Sequence, residues 1–472
     1  MTRQALLALL VLAGAVSLSG CAAAFANQDL APNGLPKPEE QLRRMLSSGN
    51  AAGAFKKVIG KDAAAPGDDL LRLLFAGALG HYAGRYDQSS DLLDVASAVT
   101  EDRVTRSISH EALSFITNDR VLPYTPSQTE QLMLHYYAAL DYVDLGEPDE
   151  AAVEARRISS LLDRWDGDGP PESNSREHRF FRYFAGLLFQ AAGEANDAAV
   201  AFRHAPGFAD TLDTPTPDSG DVLVLVERGF VAHRVEQSVM IALPGGQLDR
   251  LTGGSLPQQM AQAGLLATYV LAIANNAGYR TYYHDNGYLH PVHFDPWGSD
   301  CRRAGARCID RDDGNGYLLR VAWPVYLSEP RAQTPVGIQL PDGNSVAARP
   351  ALDVTGSELR DFSRERASIL TRTVVRAATK LVLTKAVEKK VAKKNETAGR
   401  ILGILTNVGT LVTERADTRT WNILPGEVLF ARVRLAAGRQ PLAIDVDGAL
   451  QQVGTVDVPA GGSVVVSYRI WR

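Results

Sequence analysis

Two kinds of hydrophobic pattern divide this chain. From about Glu39 to Ala209, apolar residues recur three and four positions apart, which is the spacing of one helix face. Beyond residue 220 the pattern changes to short Val- and Leu-rich runs bounded by Gly or Pro, which is typical of buried strands. Residues 213–220 contain two prolines and read as a linker. We predict an α+β fold with helical hairpins over residues 39–212, then a mixed α/β region that ends in an antiparallel β unit.

The helical half carries a repeated spacing around three turn glycines, Gly84, Gly146 and Gly193. In each case a small residue lies seven positions before the glycine and another lies five after it. These pairs are Gly77 and Ser89, Ala139 and Ala151, and Gly186 and Ala198. The spacing resembles the tetratricopeptide repeat, a helix–turn–helix unit of about 34 residues. Small residues allow close helix packing, and the glycine ends the first helix.

Stacked hairpins of this kind form a concave groove that binds a protein or an extended peptide. We also expect such a stack to fold without the rest of the chain, since its contacts are between neighbours. The three turn glycines are 62 and 47 residues apart, so the repeats are not in strict register. A general helical bundle therefore stays open as the alternative.

The second half contains candidate strands of two kinds. The run at 221–227 is continuously apolar, and 317–327 is a second long candidate; residues 257–277 between them read as a helix. Four short runs close the chain, at 428–435, 441–447, 452–458 and 463–470. We assign 221–357 to a mixed α/β region and 414–472 to a β unit, either an antiparallel meander or a small sandwich.

Residues 358–413 form a basic, amphipathic helical segment. Arg372, Arg376 and Lys380 are spaced by four and share one predicted face, while apolar residues occupy another. One interpretation is a helix that contacts anionic headgroups or a periplasmic polymer. The other is a helical hairpin that packs on the β part and leaves its basic face in solvent, which is the commoner arrangement.

The first twenty residues have the pattern of a signal peptide. Arg3 precedes a short apolar run, and Leu18-Ser19-Gly20-Cys21 follows it. The run is shorter than the roughly 20 residues that span a bilayer. The tetrapeptide resembles the lipobox of bacterial lipoproteins, in which the cysteine receives a diacylglycerol and becomes the acylated amino terminus. A plain secretory signal with an incidental cysteine, or a short membrane anchor, is the alternative.

The lipobox resemblance implies a location as well as a modification. Lipid on Cys21 would hold the protein on a membrane, with residues 21–38 as the tether. Ala22 stands where the inner-membrane retention signal has Asp, which favours the periplasmic face of the outer membrane.

Two further cysteines, Cys301 and Cys308, lie downstream with six residues between them. The periplasm is oxidising, and in that compartment two neighbouring thiols predict a disulfide. A metal site is the alternative, because five possible ligands lie upstream. They are His284, Asp285, His290, His293 and Asp295. Metal binding would require these side chains to converge in space.

The composition and the lack of known catalytic spacings argue against several classes of function. The 472 residues carry a net charge of −5 with no long block of one sign, so we expect no nucleic-acid partner. The spacings of zinc peptidases, serine hydrolases and phosphate-binding loops are absent; His110-Glu111, for example, lacks the second histidine of HExxH. We therefore predict no catalytic residues, no cofactor and no bound metal.

Several segments together are similar to one bacterial family, periplasmic lipoproteins with degenerate tetratricopeptide-like repeats and no assigned activity. The segments are Tyr137-Ala138-Ala139-Leu140 through Glu154-Ala155-Arg156-Arg157, 223–229, Trp323-Pro324-Val325-Tyr326, 372–378, Ala416-Asp417-Thr418-Arg419-Thr420-Trp421 with Leu424-Pro425, and Ala431-Arg432. The resemblance implies a lipid-anchored scaffold or adaptor that binds a periplasmic protein partner in envelope assembly. The alternative is a hydrolase or transferase that acts on an envelope polymer, with its site within 282–326.

The cysteine pair gives a first testable prediction. Native protein should show no free thiol at Cys301 or Cys308 until a reductant is added. Closing this small loop should contribute about 2–3 kcal/mol to the free energy of unfolding. Mass spectrometry after alkylation, with and without reductant, measures the thiols. Full alkylation of both under native, metal-free conditions would contradict the disulfide.

Overall fold

The computed structural model describes residues 30–60, 68–110, 122–167, 174–208, 215–243, 258, 283–285, 288–290, 317–330, 334–393 and 415–471. This part of the chain contains both helix and sheet, which confirms the α+β class.

Within the described residues, eight helices precede the first strand, and each packs against the next along the chain. They are α1 (Lys37–Ser47), α2 (Ala51–Ile59), α3 (Asp69–Tyr82), α4 (Tyr86–His110), α5 (Gln128–Leu145), α6 (Pro148–Asp166), α7 (Arg176–Ala191) and α8 (Ala195–Arg203). The predicted turn glycines Gly84, Gly146 and Gly193 lie at the ends of α3, α5 and α7. Their φ angles are 66°, 74° and 77°, in the left-handed region that favours glycine.

The small residues inside the helices also have the predicted role. A Cβ on Gly77 would lie 2.5 Å from Cδ2 of Leu93 in α4, and one on Gly186 would lie 2.5 Å from the Phe202 ring in α8. No side chain fits at these two positions. The two helices of each hairpin can therefore approach more closely than a larger residue would permit.

In the part of the chain that the structure describes, the strands form two four-stranded sheets and two separate pairs. Their bounds are β1 (Ser219–Arg228), β2 (His233–Leu243), β3 (Tyr283–Asp285), β4 (Tyr288–His290), β5 (Tyr317–Leu327), β6 (Val336–Gln339), β7 (Ser345–Ala347), β8 (Arg349–Leu352), β9 (Glu427–Ala436), β10 (Gly438–Val446), β11 (Ala449–Val458) and β12 (Ser463–Ile470). Sheet 1 has the order β12-β1-β9-β8, and sheet 2 has the order β11-β10-β6-β7. β2 pairs with β5, and β3 pairs with β4.

All four carboxy-terminal runs are strands, as predicted, but they do not form one antiparallel unit. β9 and β12 belong to sheet 1, whereas β10 and β11 belong to sheet 2. β12 pairs in parallel with β1, so that Leu223 lies opposite Val465. The prediction of an antiparallel unit within 414–472 is therefore wrong, because that segment completes a sheet begun by β1.

The molecule has three layers, and sheet 1 is the middle one. Leu223 and Leu225 of β1 belong to the same hydrophobic core as the helices. Val222, Val224 and Val226 alternate with them and pack against sheet 2. Successive strand residues point to opposite faces, so this single strand contributes to both cores.

The first helix of each hairpin packs against the β part. Tyr82 of α3 lies against Trp471, with ring centroids 4.9 Å apart. Tyr137 of α5 lies 6.2 Å from Trp421, and α7 contacts Phe430 through two aromatic rings. The helix faces that we expected to line a partner groove are thus covered by the chain's own β part.

The basic segment is one long helix over its described length, α9 (Val354–Ala392). It packs on β5 and α5. Arg376, predicted to lie on a solvated basic face, is fully buried together with Thr373 and Val374. The prediction of a solvated basic face is therefore wrong for Arg376. The rest of the basic segment, residues 394–413, lies outside the described residues, as does most of the helix predicted at 257–277. Among the described helices, none combines the length and the apolar character that crossing a membrane requires.

The shared core changes the expectation for the helical half. We now predict that residues 30–208 alone do not unfold cooperatively, because removal of the β part exposes the aromatic rings of α3, α5 and α7. Urea unfolding followed by circular dichroism, with ANS fluorescence, compares this fragment with the full chain. A cooperative transition with a slope appropriate to its size would contradict the prediction.

Candidate functional site

The cysteines singled out from the sequence, Cys21, Cys301 and Cys308, lie outside the described residues. Of the alternative metal ligands, His284 and Asp285 lie in β3 and His290 lies in β4. Tyr283 is the register partner of His290. His293 and Asp295 also lie outside the described residues. In the described ranges, no group of three His, Cys, Asp or Glu side chains could hold a metal ion.

Residues 30–36, expected to be part of a loose tether, are bound to the folded body. His233 Nε2 donates to the Asn33 carbonyl at 2.9 Å. Gly34, with φ of 80°, lies so close to Val235 that a Cβ would be 2.6 Å from its Cγ1. Burial and the nearby Arg43 lower the pKa of His233 to about 3, so this histidine is neutral at pH 7. Residues 30–36 are therefore attached to the folded body, and α1 starts at Lys37.

Arg43 of α1 connects this amino-terminal segment to the β part. Its Nε and Nη2 donate to the Asn422 carbonyl at 3.0 and 2.5 Å, and Nη2 also reaches the Val231 carbonyl at 2.9 Å. Nη1 forms an ion pair with Glu329 at 3.0 Å. Burial lowers the pKa of Arg43 to about 10, which still leaves it charged at neutral pH. A buried charge with these partners fixes how α1 sits on the strands.

A pair of buried carboxylates lies where α5 and α9 meet. Ser127, the residue that caps α5, contacts both: its backbone N–H donates to Glu130 Oε2 at 2.9 Å, and its hydroxyl donates to Glu358 Oε1 at 2.6 Å. Tyr326 of β5 donates to the other oxygen of Glu358 at 2.7 Å. Arg234 Nε donates to the Tyr326 hydroxyl at 3.1 Å. Five side chains from four parts of the fold thus share one network.

The second carboxylate of this network, Glu358, has an unusual pKa. Burial and the neighbouring charge of Glu130 raise the pKa of Glu358 to about 8, although Ser127, Tyr326 and Arg234 oppose the shift. Raised carboxyl pKa values are common in catalytic sites. However, Glu130 and Glu358 are only 4% and 3% exposed. Neither side chain lines the cleft beside His178 or the cleft beside β12. The network connects α5, α9 and β5, and we assign it a structural role.

Glu130 also holds the segment that leads to β9. Its Oε1 accepts the backbone N–H of Trp421 at 2.8 Å. Asp417 and Arg419 form an ion pair, with the shortest distance 2.7 Å. Arg419 also reaches Asp68 at the start of α3, at 3.3 Å. These contacts attach residues 415–421 to the helices.

Three histidines are paired with carboxylates between helices of the stack. His81 lies 2.7 Å from Asp141, His135 lies 2.6 Å from Glu154, and His178 lies 2.5 Å from Asp166. A histidine oriented by a carboxylate is the arrangement of a general base. The His178 side chain is 19% exposed, whereas those of His81 and His135 are 7% and 9% exposed.

His178 lines a polar cleft of about 260 Å³ between α5, α6, α7 and α9. Burial acts to raise the pKa of Asp166, but the contacts from His178 and Arg182 outweigh it and hold that pKa below its ordinary value. Asp166 is thus a carboxylate that orients His178. Ser175 Oγ, also at this cleft, accepts the His178 backbone N–H at 3.1 Å and caps α7. The cleft can support proton transfer, and its serine is engaged in holding the helix.

Sequence reasoning did not single out these groups. The pattern Ser127-x-x-Glu130 is a capping box, and the structure contains both of its hydrogen bonds. It could have located the start of α5 and one of the two carboxylates. Glu358 and His178 carry no local signal, because their partners come from distant parts of the chain.

The carboxylate pair predicts a pH dependence of stability. Because the pKa of Glu358 is higher in the folded chain than its ordinary value of 4.5, folding takes up a proton and stability falls as pH rises from about 4.5 to about 8. Glu358→Gln should reduce this fall, measured by urea midpoints at pH 5 and pH 8. Glu365→Gln, an exposed position on the same helix, is the matched control and should behave as the unchanged chain. Equal slopes for all three proteins would contradict the raised pKa.

Comparison with models of protein families, with characterised proteins and with solved structures gives no match for this chain.

Proposed function

We propose that the protein is a lipid-anchored adaptor at the periplasmic face of the outer membrane. It holds a protein partner near the membrane during envelope assembly and performs no catalysis. Lipid on Cys21 is its attachment, and the helical half is a set of degenerate tetratricopeptide-like hairpins.

One observation carries this proposal: the chain is attached to the folded body at residue 30, which is nine residues after the predicted lipidation site. Residue 30 is already part of a bridge, Leu30 to Pro36, and Asn33 is bound to His233. Nine residues of extended chain from Cys21 span at most about 30 Å. A rigid body on so short a tether stays close to the bilayer, which suits a protein that positions another one there.

The hairpin stack supports the proposal in part. Its close helix contacts at Gly77 and Gly186 are those that such repeats require. Its inner helices are occupied by sheet 1 and by residues 415–426, so a partner has to bind elsewhere on the body.

A second candidate function has a specific observation in its favour. The His178–Asp166 pair in the polar cleft could act as a general base in a hydrolase or transferase of envelope polymers. This is a different place from the 282–326 region that the sequence suggested, most of which lies outside the described residues.

The anchor gives the decisive prediction. Cys21→Ala should abolish palmitate incorporation and release the protein from membranes, and chemical crosslinking in intact envelopes should then lose the partner adduct. Ala22→Asp is the matched control for location: it keeps the lipid, but should retain the protein at the inner membrane and also lose the adduct. Metabolic labelling, membrane fractionation and crosslinking measure the three effects.

Two results would overturn the adaptor. Palmitate labelling of Cys21→Ala would refute the lipid anchor. Loss of all cellular activity in His178→Gln, with normal folding and normal location, would favour the enzyme.

A further inference from the structure

The described parts of the two sheets end in four outer strands, and three of these are protected against pairing with another strand. β7 has only three residues. β8 has four, including Pro350, and its register shifts beside that proline. β11 is interrupted by a register shift next to Gly454, whose φ is 138°. Shortness, proline and bulges are the usual devices that prevent edge-to-edge association.

β12 has none of these devices. It runs for eight residues in continuous register with β1, from Ser463 opposite Asp221 to Ile470 opposite Arg228. Its first six residues, Ser-Val-Val-Val-Ser-Tyr, contain no charge and no proline. The one charged side chain, Arg469, is directed inward, where Nη2 donates to the Gly229 carbonyl and the guanidinium covers the Trp471 ring at 4.4 Å.

The pairing with β1 shows which backbone groups of β12 face outward. Asp221 donates its N–H to the Gly462 carbonyl, and Gly229 donates to the Ile470 carbonyl. Backbone groups alternate sides along a strand, so even-numbered residues of β12 face β1. Those of Ser463, Val465, Ser467 and Arg469 therefore point away from the sheet. Within the described residues, β12 has no strand partner except β1.

A cleft of about 240 Å³ lies against the beginning of this edge. Its walls include Val464 and Val465 of β12 and Leu187 and Leu188 of α7, with Ala191 at the exposed end of that helix. The cleft is mostly apolar, and it is large enough to admit an aliphatic side chain. Two charged residues line it, Glu147 and Asp457, and both are exposed carboxylates.

We propose that β12 is a docking edge for an extended segment of the partner protein. The segment adds a strand to sheet 1 by backbone hydrogen bonds to the outward groups of β12. One aliphatic side chain enters the cleft, and a neighbouring Lys or Arg faces Glu147 and Asp457. This inference rests on the adaptor function, and it names the surface and the chemistry of the partner.

Amide hydrogen exchange on the full chain tests whether the edge is open. In the free protein, the outward N–H groups of Val465, Ser467 and Arg469 should exchange much faster than those of Val464, Val466 and Tyr468, which face β1. Equal protection of both sets in a monomeric protein would mean that the chain covers its own edge. Equal protection in a dimer would assign the edge to a second copy. Either result overturns the proposal.

A defined peptide tests the docking itself. The probe is acetyl-Lys-Val-Thr-Val-Thr-Val-Thr-Lys-amide, and its control has every second backbone nitrogen methylated, which removes the N–H groups of one edge. The probe should bind and slow exchange of the outward β12 amides, while the methylated control should bind at least about tenfold more weakly. Ala191→Trp, which fills the cleft from the surface, should weaken binding by a similar factor. Ala52→Trp, at an exposed alanine of α2, is the matched control and should bind as the unchanged chain.

The outcomes separate this inference from the adaptor function. If Ala191→Trp retains the crosslinked partner adduct in intact envelopes, the edge is not the docking surface, although the adaptor function stands. Equal binding of both peptides also overturns the edge. Loss of the adduct in Ala191→Trp, with normal lipidation and unfolding midpoint, supports it.

Discussion

The architecture depends on one strand, β1, being buried on both faces. Its residues from Gly220 to Arg228 are all buried, and its apolar side chains alternate between two cores. A strand of this kind needs a layer on each side, because either face would otherwise expose valine and leucine to water. The helices supply one layer and sheet 2 supplies the other. Both neighbours of β1, which are β9 and β12, and two strands of sheet 2 lie within residues 427–470. The core of the helical half is therefore incomplete without this segment.

Joining the layers buries charged groups, and several of these have partners from another layer. Arg43 links α1 to residues that precede β2 and β9, and Ser127 links the Glu130 and Glu358 carboxylates across α5 and α9. Such pairs add little net stability, since removing two charges from water costs about as much as their attraction returns. Their effect is on specificity: a helix shifted by one turn would leave a buried charge without its partner. The raised pKa of Glu358 is the electrostatic cost of burying this carboxylate and of placing it near Glu130.

The sequence could predict what is set locally. Helical periodicity located the hairpins, the three turn glycines located their corners, and the apolar run at 221–227 located a strand buried on both sides. Strand partners could not be predicted, because the pairing of Leu223 with Val465 is decided by the fit of the layers and not by either segment alone. The burial of Arg376 and Glu358 could not be predicted for the same reason. Charge patterning places Arg376 on a solvated face, and no local pattern marks Glu358 as buried. The packing of α9 in the fold buries both.

The filled inner face of the hairpins changes how recognition has to work in this protein. A helical repeat usually reads its partner through side chains of the inner helices, but here those side chains hold sheet 1. The open edge of that same sheet then becomes available for recognition, and the backbone groups along it bind an extended chain with little regard to its sequence. In the proposed docking mode, selectivity comes from the cleft at the start of β12, where the apolar lining favours an aliphatic side chain and two carboxylates favour a cation beside it. The proposed lipid on Cys21 would add a second restriction, since residue 30 follows it by only nine positions and this edge would stay near the membrane surface.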